Sequence, residues 1–182
     1  MNGTNLNSPG EIKININDQD LLTLPYKAYL LFEGQLVKAD GTAYANADAV
    51  ALTNNGMLSY ANDFQLAQGL NQLWYKDSTS TAVLADTTGF ATRQAYLIQK
   101  PTTKRTFSIC IPLRHIFGFC DDCDKVIYGL KRTIILVRQS DDNAIFRLAG
   151  AAAVKVILNK IQLLMPSLIP SGEEKKRLID EI

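Results

Sequence analysis

Apolar residues alternate with polar ones through much of this sequence, with a period of two. In the stretch EIKININ, Ile12, Ile14 and Ile16 fall on one side of an extended chain and polar residues fall on the other. Because successive side chains of a β-strand point to opposite faces of the sheet, this alternation predicts a half-buried strand. The stretch AYLLFEGQLVKADG repeats the pattern and ends at Asp40-Gly41, a strong signal for a turn.

Further segments carry the same alternation or are rich in β-branched residues, which brings the expected total to about eight or nine short strands. These segments are NDFQLAQ, NQLWYK, RQAYLIQ, RTFSICIPL, KVIYGLKRTIILVRQ and AVKVILNKIQLLM. Strands do not alternate with long helical patterns, and turn signals separate many of the segments. This order predicts an all-β sandwich of antiparallel strands.

Four details predict local features. Arg132 interrupts the apolar face of KVIYGLKRTIILVRQ and therefore needs a hydrogen-bond partner or an edge position. In AVKVILNKIQLLM the apolar phase shifts near Asn159-Lys160, which predicts a β-bulge. In SGEEKKRLIDEI, Ser171 stands three residues before Glu174, the pattern of a helix capping box. The stretch NNGMLSYA fits one short helical turn.

Composition restricts the class of protein. With 182 residues, 47% of them hydrophobic, the chain can build one domain with a sizeable core. The 19 Lys and Arg residues nearly balance the 18 Asp and Glu residues, so no strong field attracts nucleic acid or an anionic membrane. The polar start MNGTNLNSPG lacks the features of a secretory signal, and no uncharged apolar run reaches the roughly 18 residues of a membrane span. We therefore expect no membrane partner and no secretion through a signal peptide.

The stretch IPLRHIFGFCDDCDKVIYG holds most of the candidate chemistry. With Cys110 just before it, four potential soft ligands lie close together in sequence: Cys110, His115, Cys120 and Cys123. Their spacing does not match a standard zinc site, and cysteines often serve as small buried apolar residues. The strand phase places Cys110 opposite the apolar face of RTFSICIPL. The carboxylates of CDDC should raise the thiol pKa values and so oppose redox reactivity.

Other catalytic patterns are weak. One histidine provides only one candidate base, the paired Asp residues lack the EF-hand pattern, and no P-loop or GxGxxG is present. Three cysteines are an odd number, which argues against a disulfide framework. We therefore expect no enzyme activity, no catalytic residues and no cofactor.

Taken in order, the segments resemble the N-terminal jelly roll of the double jelly-roll major capsid proteins, in particular those of polinton (Maverick) elements and adintovirus-like genomes. Shared features are an NNG segment after an early strand pair, an I-P-L strand end, a long strand ending in L-x-R before an acidic turn, and a proline-containing exit to a helix. The stretches that carry the resemblance are AYLLFEGQLVKADGTAYA, VALTNNGMLSYANDFQLAQGLNQ, IPLRHIFGFCDDCDKVIYGLKRTIILVRQSDDNAIFR and VKVILNKIQLLMPSLIP.

The resemblance implies a jelly-roll β-sandwich of two antiparallel sheets, of about eight strands, with a short C-terminal helix. It divides the chain into a flexible segment at 1–10, a single jelly-roll domain at 11–170 and the helix at 171–182. A double jelly-roll protein continues with a second sandwich after the helix. A natural single jelly roll, a truncated or domesticated copy, and one domain of a longer product remain open alternatives.

The implied function is that of a viral or virus-derived capsid protein, located in the virion and made in the host cytoplasm or nucleus. Such a protein self-assembles, most simply as a trimer or pentamer, and meets nucleic acid at most indirectly by enclosing it. Candidate contacts are large apolar side chains of one loop and of the C-terminal helix: Trp74, Tyr75, Leu178, Ile179 and Ile182. Packing within their own domain is the alternative for both groups.

Two other functions remain open from the sequence. A jelly roll can also act as a stand-alone or domesticated binding module without assembly, because a fold does not determine a function. A metalloenzyme would require bound zinc at the cysteine and histidine cluster.

Overall fold

The computed structural model describes residues 6–7, 10–17, 21–52, 90–99, 105–138, 141, 145–147 and 151–180. These residues form ten strands: β1 (Glu11–Ile16), β2 (Leu22–Thr23), β3 (Tyr29–Lys38), β4 (Val50–Leu52), β5 (Thr106–Pro112), β6 (Ile127–Tyr128), β7 (Arg132–Val137), β8 (Ile145–Arg147), β9 (Val154–Leu164) and β10 (Ser167–Leu168). The helices are α1 (Phe90–Gln94), extended by a π-helical turn at Ala95–Gln99, α2 (Gly118–Asp122) and α3 (Gly172–Asp180). No helix among the described residues is both long and apolar enough to span a lipid bilayer.

The described strands pair in four groups. Two are pairs, β1 with β7 and β4 with β8, and two are three-stranded, in the orders β10–β2–β6 and β5–β3–β9. The β4–β8, β10–β2 and β2–β6 pairs are antiparallel. The Leu36 N–H donates to the Arg105 carbonyl and the Leu113 N–H to the Ala28 carbonyl, so β5 also runs antiparallel to β3. The predicted all-β class of antiparallel strands with a C-terminal helix is confirmed.

The chain is divided into two compact units. The first comprises Met1–Ile12, Leu31–Ile109 and Leu136–Gln162, and the second comprises Lys13–Leu30, Cys110–Ile135 and Leu163–Ile182. Each unit has its own buried residues. In the first, these include Leu36, Phe146 and Val156, and in the second they include Thr23, Leu30 and Leu113. The predicted boundaries at 1–10, 11–170 and 171–182 stay a prediction.

The predicted strand phases of β1 and β3 are confirmed by burial. Ile12 and Ile16 of β1 are buried and Ile14 is half-buried, whereas Lys13 and Asn15 between them are exposed. In β3 the even-numbered residues from Leu30 to Leu36 are buried, whereas Tyr29 and the odd-numbered residues between them are not. Burying one face of each strand removes apolar surface from water while the other face keeps its polar groups solvated.

The predicted features near the C-terminus are partly confirmed. In β9 the buried alternation runs through Leu158, and then Asn159 and Lys160 are both exposed, so the phase changes where the sequence predicts. The bulge itself stays a prediction. At the start of α3 the Glu174 N–H donates to Ser171 Oγ at 3.2 Å, which is the main-chain half of the predicted capping box.

The prediction that RQAYLIQ is a strand is wrong, because these residues lie in α1 and the following π-helical turn. Leu97 and Ile98 are adjacent and both buried. Phe90 lies seven and eight residues before them, the spacing of one helix face. Arg93 Nε donates to the Leu52 carbonyl at 2.8 Å, so a polar side chain of this face bonds to β4.

The stretch KVIYGLKRTIILVRQ is not one long strand as predicted. It forms β6 and β7, separated at Gly129, whose φ of 72° lies in the left-handed region that glycine adopts without steric cost. The predicted face is nevertheless retained in β7, where Arg132, Ile134 and Leu136 are less exposed than their neighbours. The predicted segments NDFQLAQ, NQLWYK and NNGMLSYA lie outside the described residues.

Tyr44 links the chain after β3 to the start of β9. Its side chain is buried, and its hydroxyl donates to the carbonyls of Ala152 and Ala153 at 3.2 and 3.1 Å. Burial raises the pKa of Tyr44 to about 12, with a smaller contribution from the charge of Asp48. The hydroxyl therefore remains a hydrogen-bond donor at neutral pH.

Gly34 lies at a position in β3 where the structure leaves no space for a side chain. A Cβ added there would lie 2.5 Å from the Ile157 carbonyl oxygen and 2.7 Å from Cζ of Phe107. The first of these atoms is backbone of β9 and cannot move without displacing the strand. The absence of a side chain at Gly34 is therefore what allows β9 and the Phe107 ring to approach β3.

We predict that Gly34→Ala lowers the free energy of unfolding by about 1–3 kcal/mol, the usual cost of inserting a carbon atom into a packed core. Chemical denaturation monitored by circular dichroism measures it. Gly172→Ala is the matched control, because no described atom lies within 4 Å of its added Cβ and alanine favours a helix. Equal stability of both variants would contradict the close packing at Gly34.

Candidate functional site

The four predicted soft ligands lie in different local environments. Cys110 is exposed on β5, His115 is half-buried at the end of the 3₁₀ turn Leu113–His115, Cys120 is buried in α2, and Cys123 is half-buried just after α2. All three cysteines are free thiols. Within the described ranges, no three His, Cys, Asp or Glu side chains are grouped so as to hold a metal ion. The structure thus does not bring the four residues together as one ligand set.

Main-chain hydrogen bonds fold residues 111–123 into a strand end, a turn and a short helix. The Leu113 N–H donates to the Ala28 carbonyl at 2.8 Å, and the Leu113 carbonyl accepts from the Phe117 N–H at 2.8 Å. The Cys120 N–H then donates to the Phe117 carbonyl at 2.9 Å. The sequence interpretation of this stretch as a strand end followed by a loop is confirmed, and the loop contains α2.

Burial raises the pKa of the Cys120 thiol. The nearby Cys123 raises it further, and the Arg132 guanidinium lowers it by a smaller amount than burial raises it. The direction for Cys120 agrees with the prediction, but the causes are burial and Cys123, and the carboxylates of CDDC are not among them. Since the thiolate is the reactive form, Cys120 is poorly suited to be a nucleophile.

Arg132 finds the partner that its position in an apolar face requires. Its guanidinium donates to Thr23 Oγ1, and the Thr23 hydroxyl donates to the Ile127 carbonyl at 3.1 Å. Thr23 is only 2% exposed, so this polar group connects three strands from the inside. Arg132 Nε is buried without a hydrogen-bond partner in the described part of the chain. Burial lowers the pKa of Arg132, an effect that Cys120 partly opposes.

The three-stranded sheet β10–β2–β6 has one apolar face that points away from Thr23. Leu22 pairs directly with Leu168 on one side and with Tyr128 on the other. Residues opposite each other in an antiparallel pair share a face, so these three side chains form one row. The pairing continues to Leu24, whose N–H donates to the Pro166 carbonyl at 3.1 Å. We call the apolar side chains Leu22, Leu24, Tyr128, Pro166 and Leu168 the outer face.

Solvent reaches the outer face and the residues next to it in the chain. Leu168 is 54% exposed, and Ile169, immediately after β10, is 84% exposed. Leu130, two residues after Tyr128, is 60% exposed. A contiguous apolar patch on a protein surface commonly marks a contact with another molecule.

In the first unit, side chains form hydrogen bonds with the backbone N–H and C=O groups along one edge of β9. The Asn7 amide oxygen accepts from the Leu158 N–H at 2.8 Å, and the Asn7 amide nitrogen donates to the Leu158 carbonyl at 3.1 Å. A residue of a neighbouring strand makes the same pair of bonds in an antiparallel sheet. Asn7 therefore takes the place of a strand residue beside Leu158.

Arg138 and Asp141 form the corresponding pair of hydrogen bonds with the backbone of Val156. The Val156 N–H donates to Asp141 Oδ2 at 3.0 Å, and Arg138 donates to the Val156 carbonyl at 2.7 Å. The two side chains also form an ion pair at 2.9 Å, in which the Arg138 side chain is 6% exposed. Arg138 donates further to the Leu6 carbonyl at 2.6 Å and to Asn7 Oδ1 at 3.1 Å. We call Asn7, Arg138 and Asp141 the edge clasp.

The predicted oligomer contacts are not among these groups. Leu178 and Ile179 belong to α3, and Trp74, Tyr75 and Ile182 lie outside the described residues. All five stay predictions.

The patterns in the sequence did not predict the outer face or the edge clasp. A signal for the outer face exists, because Leu22 and Leu24 flank Thr23 just as Pro166 and Leu168 flank Ser167. Two-residue strands are too short for this alternation to stand out. No local signal marks the edge clasp, since Asn7 and Leu158 are 151 positions apart.

We predict that the native thiols react in the order of their exposure. Cys110 should react with a maleimide within the folded protein, whereas Cys120 should be modified only after unfolding, because it is buried and protonated. Mass spectrometry of digested samples, labelled with and without denaturant, measures both sites. Cys110→Ser provides the control that removes the fast reaction, and fast native labelling of Cys120 would contradict its burial.

Comparison with known proteins supplies the family. The family described as double jelly roll-like domain matches residues 83–180, which is more than half of the chain. No match was found among the curated proteins or the solved structures. The jelly-roll part of the predicted fold is thereby confirmed. The chain belongs to the double jelly roll-like domain family.

Proposed function

We propose that this protein is a capsid-type structural subunit, viral or virus-derived, that assembles with copies of itself. Family membership carries the proposal, because double jelly roll-like domains are typical of viral capsid proteins. The role is structural and includes no catalytic step. The site of action is the virion.

The outer face supports self-association. Interfaces between identical subunits are richer in apolar area than the rest of a protein surface, and they exclude charged residues from their centres. Four of the five outer-face side chains are aliphatic, the fifth, Tyr128, is an aromatic ring with one hydroxyl, and none is charged. Burying them against a second copy would remove apolar area from water, with a gain of about 25 cal/mol for each Å².

Charge balance also supports association. The chain carries a formal net charge of +1, so copies of it do not repel each other through a large like charge. The same balance gives no strong attraction to nucleic acid. In this proposal the protein meets a genome only by enclosing it.

The finer identity that we propose follows the sequence resemblance. The chain corresponds to the N-terminal jelly roll of the polinton and adintovirus-like capsid proteins, and its assembly is a trimer or a pentamer. Trp74, Tyr75, Leu178, Ile179 and Ile182 are proposed as additional contacts in such an assembly.

Oligomer mass tests the proposal. Light scattering after size-exclusion chromatography, combined with negative-stain microscopy, should detect regular oligomers or particles whose amount rises with protein concentration. A monomer at every accessible concentration would overturn self-assembly and would favour the binding-module alternative.

We predict that Leu168→Asp weakens the association by about tenfold or more, since 1.4 kcal/mol suffices for that change and an unpaired buried carboxylate costs several kcal/mol. Tyr96→Asp is the matched control, because Tyr96 is 53% exposed but lies in the first unit. Sedimentation velocity at matched concentrations compares the three proteins. Equal weakening by both variants would remove the outer face as the specific contact.

A further inference from the structure

Strand β9 has one neighbour among the described strands, since it is the outer member of the order β5–β3–β9. Its other edge presents the N–H and C=O groups of Val156 and Leu158. The edge clasp satisfies all four of these groups with side-chain atoms, at distances between 2.7 and 3.1 Å. An open strand edge pairs readily with another chain, so the edge clasp is what closes this one.

Two residues of the N-terminal segment, Leu6 and Asn7, take part in the contacts of the edge clasp. The Leu6 carbonyl and the Asn7 side chain make the contacts described above, and their partners are 131 to 151 positions away in sequence. Nothing in these bonds requires donor and acceptor to belong to the same chain. The same segment from a second copy would make identical bonds, which is the condition for exchanging an element between subunits.

Gly10 immediately precedes β1 and has a backbone conformation that favours glycine. Its φ is +147°, a conformation that residues with side chains rarely adopt, and no described atom lies within 4 Å of where a Cβ would be. Its carbonyl accepts from the Arg138 N–H at 3.2 Å, which holds the start of β1 in place. A change of backbone angles at Gly10 would therefore redirect the segment while β1 remains paired.

We propose that the β9 edge at Val156 and Leu158 is a docking surface for the N-terminal segment of a second copy of this chain. In the assembled protein, Leu6 and Asn7 of one subunit complete the edge clasp of its neighbour. The inference rests on the proposed self-assembly and specifies one of its contacts.

Amide hydrogen exchange in a mixture of full-length chains tests the exchange of segments. An isotopically labelled Asn7→Ala chain keeps Arg138 and Asp141 but lacks the amide that protects Leu158. Measured alone, its Leu158 amide should exchange at least about tenfold faster than in the wild type, while the Val156 amide, bonded to Asp141, should change little. Asn7→Ser serves the same purpose if Asn7→Ala does not fold.

Adding unlabelled wild-type chain should restore protection of Leu158 in the labelled chain, because the wild-type segment supplies Asn7 in trans. Unlabelled Asn7→Ala chain is the matched control and should restore nothing. The mass of the mixture is measured in the same sample. Mixed oligomers without restored protection would overturn the segment exchange alone, whereas a mixture that stays monomeric would overturn the proposed self-assembly as well.

Discussion

The edge of β9 illustrates the constraint on which the first unit depends: every buried backbone N–H and C=O needs a partner. Val156 and Leu158 are buried within a strand that has one described strand neighbour. Arg138, with its side chain almost fully buried, needs acceptors as much as the strand needs donors. Asn7 and Asp141 meet both requirements, because each accepts a hydrogen bond from Arg138 and also bonds to the backbone of β9.

In the second unit the notable feature is an exposed face of apolar side chains rather than an edge closed by hydrogen bonds. Thr23, inside the sheet β10–β2–β6, is hydrogen-bonded to both Arg132 and Ile127, whereas Arg132 Nε has no hydrogen-bond partner among the described residues. The outer face is left with apolar side chains alone. This exposed face is the surface that the proposed self-association would bury.

Residues 110–123 show how composition and structure can point to different chemistry. Three cysteines and the only histidine in the chain lie within this short stretch. Their strand and helix positions then separate them by burial, from exposed Cys110 to buried Cys120. The strand phase of Cys110 was predictable, because alternation is local. The leading cause of the Cys120 pKa shift was not, because burial depends on which distant segments cover the thiol.

Local patterns in the sequence by themselves determined the strand faces of β1 and β3, the phase change in β9 and the Ser171 cap of α3. These features depend on residues a few positions apart, so side-chain geometry alone expresses them. Only the tertiary structure decided that residues 90–99 are helical, that Gly34 must lack a side chain and that Asn7 closes the edge of β9. Each of those outcomes depends on contacts between segments distant in sequence: Arg93 with Leu52, Gly34 with Ile157, and Asn7 with Leu158. A periodic pattern shows which face of a strand is buried, but the partner that completes its hydrogen bonds is chosen only when the chain packs.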